Sequence, residues 1–134
     1  MPLRVTYHDP CYLGRRNGVY EAPRELLRSI PGLELVEMGA NREEALCCGG
    51  GGGRMWLETE ASERFANLRL RQAAETSAQA LVTSCPFCIA CLEDGLKMYQ
   101  DGELRVMDVA EVLVMALALP AAPAAAVVPG GART

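Results

Sequence analysis

The side chains most able to do chemistry are cysteines. Cys47 and Cys48 run directly into the five glycines Gly49 to Gly53 and then Arg54, Cys85 and Cys88 stand in a Cys-x-x-Cys spacing, and Cys11 follows Asp9-Pro10. A bridge between neighbouring cysteines closes a strained ring, so Cys47 and Cys48 are not a natural disulfide. A glycine run costs more backbone entropy on folding than any other sequence of its length. It is expected where backbone must approach a group closely and aim several N–H donors at it, as it would at an anion or an inorganic cluster. Thiolate sulfur is the soft ligand of iron–sulfur clusters and of zinc, and both remain open at this point.

His8, the single histidine, stands three residues before Cys11. It is a candidate proton donor to chemistry at the sulfur site, although a hydrogen-bonded structural role is the more ordinary one for such a residue. Cys91 extends the second motif to Cys85-x-x-Cys88-x-x-Cys91, but Gly95 occupies the place of a fourth ferredoxin cysteine, so Cys91 is expected to be a buried core thiol. The glycine run is no phosphate-binding P-loop, because Arg54-Met55 stands where Lys-Ser/Thr is required.

These residues need a scaffold, and the pattern around them supplies one. Arg4 to Tyr7, Leu33 to Met38, Ala80 to Thr83 and Leu104 to Met107 read as strands. Between them lie a helix carrying Leu26, Leu27 and Ile30, one from about Thr59 to Ser77, and one from Pro86 to about Tyr99. In the second helix Arg64, Arg69 and Arg71 are expected to face outward. The segment between Cys11 and Pro23, with Gly14 and Gly18, reads as a loop. A last helix opens on the capping-box pair Asp108 and Glu111, and it leaves Val114, Met115 and Leu119 off its main apolar stripe.

Strand–helix repeated four times predicts an α/β fold: a four-stranded parallel sheet with helices on both faces, Rossmann-like, with right-handed crossovers. The three cysteine groups then follow strands one, two and three, and ligands of such sheets bind beyond the carboxyl ends of the strands. Helix N-termini after the Cys47 and Cys85 segments would favour anionic sulfur.

Of the 134 residues half are hydrophobic and 22% are charged, enough for one globular domain. The domain is expected over 1–119, followed by a disordered Ala/Pro/Gly tail at 120–134. A net charge of −4 with no basic run argues against nucleic acid as a partner. The opening residues carry no apolar stretch of signal-peptide length, which points to a cytoplasmic setting and to cysteines used as ligands rather than bridges. Pro120 and Pro123 interrupt the uncharged run after Glu111, so a membrane is expected only through a partner.

Cys11, Cys47-Cys48-Gly49 and Cys85-x-x-Cys88, with the flanks His8-Asp9-Pro10 and Pro86-Phe87, resemble the Cys-Cys-Gly domain of heterodisulfide reductase catalytic subunits and related iron–sulfur oxidoreductases, such as glycolate-oxidase iron–sulfur subunits. The resemblance covers nearly all of residues 4 to 117. It implies an iron–sulfur cluster, in the catalytic subunits a non-cubane 4Fe–4S cluster ligated by five cysteines, and it implies electron transfer to or from a disulfide, thiol or related small substrate. Carried over by position, the ligands are Cys11, Cys47, Cys48, Cys85 and Cys88, with Gly49, Gly50 and Gly51 against the cluster. The implied partners are a ferredoxin-type iron–sulfur domain or subunit and a second Cys-Cys-Gly domain, without which the chain is not expected to turn over. A structural zinc domain without redox turnover is the alternative.

Overall fold

The computed structural model describes residues 2–50, 64–98 and 103–117. Its four strands are β1 (Leu3–Tyr7), β2 (Leu33–Leu35), β3 (Ala80–Thr83) and β4 (Arg105–Asp108). They form one all-parallel sheet in the order β2-β1-β3-β4. The helices are α1 (Glu21–Arg28), α2 (Phe65–Glu75), α3 (Pro86–Met98) and α4 (Val109–Ala116). The expected doubly wound α/β architecture is therefore present.

Alternation along the strands divides the core into two layers. Val5, Tyr7, Ala80, Val82 and Met107 point to one face, where Leu27 and Ile30 beside α1, and Val109 and Val112 of α4, cover them. Leu81 and Val106 point to the other, where Ala66, Leu70 and Ala73 of α2 and Cys88, Cys91 and Leu92 of α3 meet them. Each fully buried Leu or Val of these layers contributes about 1.5–3 kcal/mol. Gly95 lets α3 lie close to α2: a Cβ there would come within 2.8 Å of Leu70 Cδ1 and 3.3 Å of Ala66 Cβ. A packing role thus accounts for the glycine at the place of a ferredoxin ligand.

Local expectations hold with three differences. The second strand ends at Leu35 rather than Met38, because its pairing with β1 stops at Val5–Leu35. The expected loop after Cys11 contains a turn of π-helix (Tyr12–Arg16), in which the Arg16 N–H donates to Cys11 O at 3.1 Å. Arg69 of α2 does not face outward; it is completely buried. Ala66, Arg69, Leu70 and Ala73 stand at i, i+3, i+4 and i+7, one face of the helix, so the arginine shares the apolar stripe. At α4 the Asp108 side chain accepts from Ala110 N at 2.7 Å while Glu111 accepts from Asp108 N at 2.7 Å, the expected capping box. Val114, Met115 and Leu117 at this end of the chain are exposed. Leu119, Gly51 and the stretch 120–134 lie outside the described residues.

Candidate metal centre at the sheet edge

In the order β2-β1-β3-β4 the chain leaves β1 toward one side and reaches β3 on the other, so the crevice at the ends of β1 and β3 is the switch point where ligands of such sheets bind. Both strand ends are firmly tied there. His8 N donates to Val82 O at 2.8 Å, Thr83 Oγ1 donates to His8 O at 3.0 Å, and Tyr7 OH and Ser84 Oγ lie 3.1 Å apart. His8 is thereby fixed immediately after β1, at the crevice.

The sulfurs gather beside it. A ring nitrogen of His8 and the Sγ atoms of Cys48 and Cys88 all lie within 4.8 Å of one another, and all three residues are buried. Cys47, Cys88 and Cys91 are neighbours of Cys48. Backbone donors point at the same sulfurs: Gly49 N to Cys47 Sγ at 3.3 Å and Gly50 N to Cys48 Sγ at 3.4 Å. The glycines are needed for this approach. Gly49 has φ of +86°, which other residues avoid, and a Cβ on Gly50 would fall 2.8 Å from Cys91 Sγ. Cys85 precedes the first turn of α3, with Ile89 N donating to its carbonyl at 3.0 Å, and it packs half-buried against the same layer.

Of the sequence candidates, then, His8, Cys47, Cys48, Cys88, Gly49 and Gly50 come together, with Cys85 at their margin. Cys11 stays exposed at the start of the π-helical turn, at the same end of the sheet. Cys91 is buried, as expected of a core thiol, but it is also a neighbour of Cys48, so it belongs to the sulfur group by position.

The electrostatics differ from a simple picture of thiolates at helix ends. Contact with Cys48 and then burial push the Cys47 thiol up. At Cys48 the Cys47 contact pulls down, but contact with Cys88 and burial prevail and raise it to about 12. Burial likewise raises Cys91. Crowded, buried sulfurs repel one another's charge, and without a metal they are held as thiols. A metal centre supplies the positive charge that would release those protons.

Two buried arginines support the crevice. Arg24 of α1 donates from Nη1 and Nη2 to Asp9 at 2.7 Å each, and from Nε and Nη2 to Glu37 at 2.6 and 3.1 Å. Burial opposes its charge, but the two carboxylates outweigh that and hold its pKa above the ordinary value. Asp9 also accepts from Arg42 N at 2.7 Å, which ties the strand end before Cys11 to the segment after β2. Arg69 has different company. Its Nε donates to His8 Nδ1 at 2.9 Å, and its Nη1 donates to Ala40 O at 2.7 Å and Gln72 Oε1 at 2.8 Å. The Nη2 group finds no acceptor among the described residues. Burial pulls the Arg69 pKa down to about 10, and burial together with the neighbouring guanidinium pulls His8 down to about 3. His8 is accordingly a neutral imidazole whose Nδ1 is occupied as an acceptor, which leaves the N–H on Nε2.

The donor set suits a thiophilic metal centre. It offers several sulfurs in one crevice, backbone N–H groups aimed at two of them, and a buried cation close by. Among the described residues, the groups close enough to share one metal ion are His8, Cys48 and Cys88, with Cys47 and Cys91 beside Cys48.

Such a parallel α/β domain, with cysteines clustered at its switch point, belongs to a recognisable class. The cysteine-rich domain family, named CCG after its motif, matches residues 5–93, and the chain belongs to that family. Among its relatives it is 43% identical over 114 residues to the probable iron–sulfur-binding oxidoreductase FadF of Bacillus subtilis, covering 84% of this chain and 16% of that protein. It is 46% identical over 123 residues to a probable membrane-anchored ferredoxin of Chromohalobacter salexigens, covering 90% of this chain and 18% of the relative. It is 42% identical over 115 residues to a dihydromethanophenazine:CoB–CoM heterodisulfide reductase component of Methanosarcina acetivorans, covering 86% of this chain and 28% of the relative. The chain thus spans less than a third of the length of these relatives. No solved structure matches it. No helix among the described residues is long and apolar enough to cross a membrane.

Proposed function

We propose that this chain is an iron–sulfur cluster-binding redox domain of a heterodisulfide-reductase-like oxidoreductase, with Cys47, Cys48, Cys85, Cys88 and Cys11 as ligands. The observation that carries the reading is the meeting of Cys48, from the segment after β2, with Cys88 of α3 and His8 of the β1 end in one buried crevice. These groups are far apart in sequence, and only the fold brings them together. A 4Fe–4S cluster is the proposed occupant, and when bound it supplies one-electron chemistry at sulfur-ligated iron.

The protein's part is to hold, orient and shield. Cys47 and Cys48 present their sulfurs from a backbone that donates to them through Gly49 and Gly50. The α3 helix presents Cys88 from its first turn and Cys85 from the residue before it. Cys11, on an exposed turn at the same edge, is proposed to complete the set where a substrate or partner reaches the site. Gly51 is proposed to continue the close approach of Gly49 and Gly50. The proposed substrate is a small disulfide, thiol or related compound. The proposed partners are a ferredoxin-type domain and a second Cys-Cys-Gly domain, in a cytoplasmic protein or at the cytoplasmic face of a membrane complex. Residues 1–119 would form the domain and 120–134 its tail.

Anaerobic, iron-replete production followed by counting of iron, acid-labile sulfide and zinc tests the reading. Iron and sulfide in equal amounts, with an electron paramagnetic resonance signal that changes on thiol addition, are expected. Zinc without iron or sulfide would replace the proposal by a structural zinc domain.

A further inference from the structure

A buried arginine ordinarily has a carboxylate partner, because an unpaired charge in the interior is costly. Arg69 is fully buried, and among the described residues its partners are an imidazole, a carbonyl and an amide, all neutral. One of its N–H-bearing nitrogens, Nη2, has no acceptor among the described residues. Asp9 and Glu37 are bound to Arg24 instead. Those two carboxylates attract the Arg69 guanidinium across space but do not touch it, so among the described residues it has no carboxylate in direct contact. His8 links that charge to the sulfurs, since it accepts from Arg69 at Nδ1 and lies within 4.8 Å of Cys48 and Cys88. An anionic centre held by those cysteines would lie one imidazole away from that guanidinium.

We propose that Arg69 is a positioning residue that serves as the buried counter-charge of the sulfur site and acts through His8. It holds the imidazole with Nε2–H facing the Cys48 and Cys88 sulfurs, and it raises the reduction potential of the cluster they bind. The inference rests on the cluster-binding reading above. It assigns His8, whose Nδ1 accepts from Arg69, the role of a hydrogen-bond donor to sulfur through its other ring nitrogen. The physical basis is simple: reduction adds one electron and one negative charge to the cluster, breaks no bond, and is favoured by a nearby fixed cation and by N–H donors to sulfur.

The sharpest test leaves Arg69 in place and cancels its charge. Gln72 Oε1 already accepts from Arg69 Nη1 at 2.8 Å, so Gln72→Glu places a carboxylate on the guanidinium without changing shape. In the full chain loaded with cluster and titrated with dithionite, Q72E should lower the equilibrium constant for reduction about tenfold, equivalent to ~59 mV for a one-electron couple. Iron content should be unchanged. Arg69→Gln should shift the potential in the same direction, and Arg69→Lys, which keeps the charge, should remain closer to the parent. In the metal-free chain Q72E should raise the denaturation midpoint, because it puts a carboxylate in direct contact with the buried guanidinium. Full iron content with an unmoved potential in Q72E would overturn the inference, as would a metal-free midpoint that fails to rise. A chain that binds no iron yet is stabilised by Q72E would overturn the cluster reading alone and leave standing a buried guanidinium without a direct carboxylate contact.

Discussion

Arg24 and Arg69 are the two largest fully buried side chains among the described residues, and they are held in opposite ways. Arg24, on the α1 and α4 side of the sheet, is gripped by Asp9 and Glu37 and stacks 5.1 Å over the Tyr7 ring. Arg69, on the α2 and α3 side, has hydrogen bonds but no carboxylate among the described residues. The first satisfies its own charge and braces the strand end that leads to Cys11. The second is linked to the sulfurs through His8, and no carboxylate among the described residues touches it. One arginine is a strut and the other is part of a site.

That contrast sets an order of expected effects. Arg24→Met leaves the buried Asp9 carboxylate without its cation, and breaking such a pair costs about 3–5 kcal/mol. Denaturant unfolding should show that loss equally with and without metal. Arg69→Met removes three hydrogen bonds but no ion pair, so the metal-free chain should lose less, about 1–3 kcal/mol. Equal losses in the two variants would erase the distinction between strut and site.

The sulfur side offers a similar split. Cys48→Ser and Cys88→Ser should abolish most of the iron content, whereas Cys91→Ser should leave most of it, although Cys91 touches Cys48. Iron counting on anaerobic preparations decides between them, and equal loss in C91S would add Cys91 to the ligands. Gly50→Ala presses a methyl group against Cys91 Sγ, an overpacking cost of about 1–3 kcal/mol, and should reduce iron content more than an Ala on the open Gly39 does. The smallest effect belongs to the exposed end of α4. Met115→Lys should change stability by no more than ~0.5 kcal/mol and leave iron content alone, while weakening association with a ferredoxin-type partner if that face is covered in the complex.

Much of this is legible in the sequence because its signals are local. Strand–helix alternation and the Asp108–Glu111 cap announce their elements, and the cysteine positions follow from the parallel order. The gathering of Cys47, Cys48 and Cys88 needs only the rule that ligands sit beyond the carboxyl ends of strands. Placing Arg69 on the outside lets charge outrank spacing, although its position between Ala66 and Ala73 puts it on the buried stripe. The shortened β2 is out of reach for another reason, since alternation runs to Met38 but pairing with β1 ends at Leu35. The π-helical turn after Cys11 depends on a wide i→i−5 bond that no residue pattern announces. Cys91 is buried as its spacing suggests, but its contact with Cys48 comes with the closeness of Gly50, a long-range feature.

Iron-edge X-ray absorption on the anaerobically prepared chain tests the central claim most directly. The account predicts iron surrounded by sulfur with a short iron–iron vector, lost in Cys48→Ser and retained in Cys91→Ser. A mononuclear zinc site of sulfur and nitrogen, with no metal–metal scattering after iron-replete preparation, would contradict it.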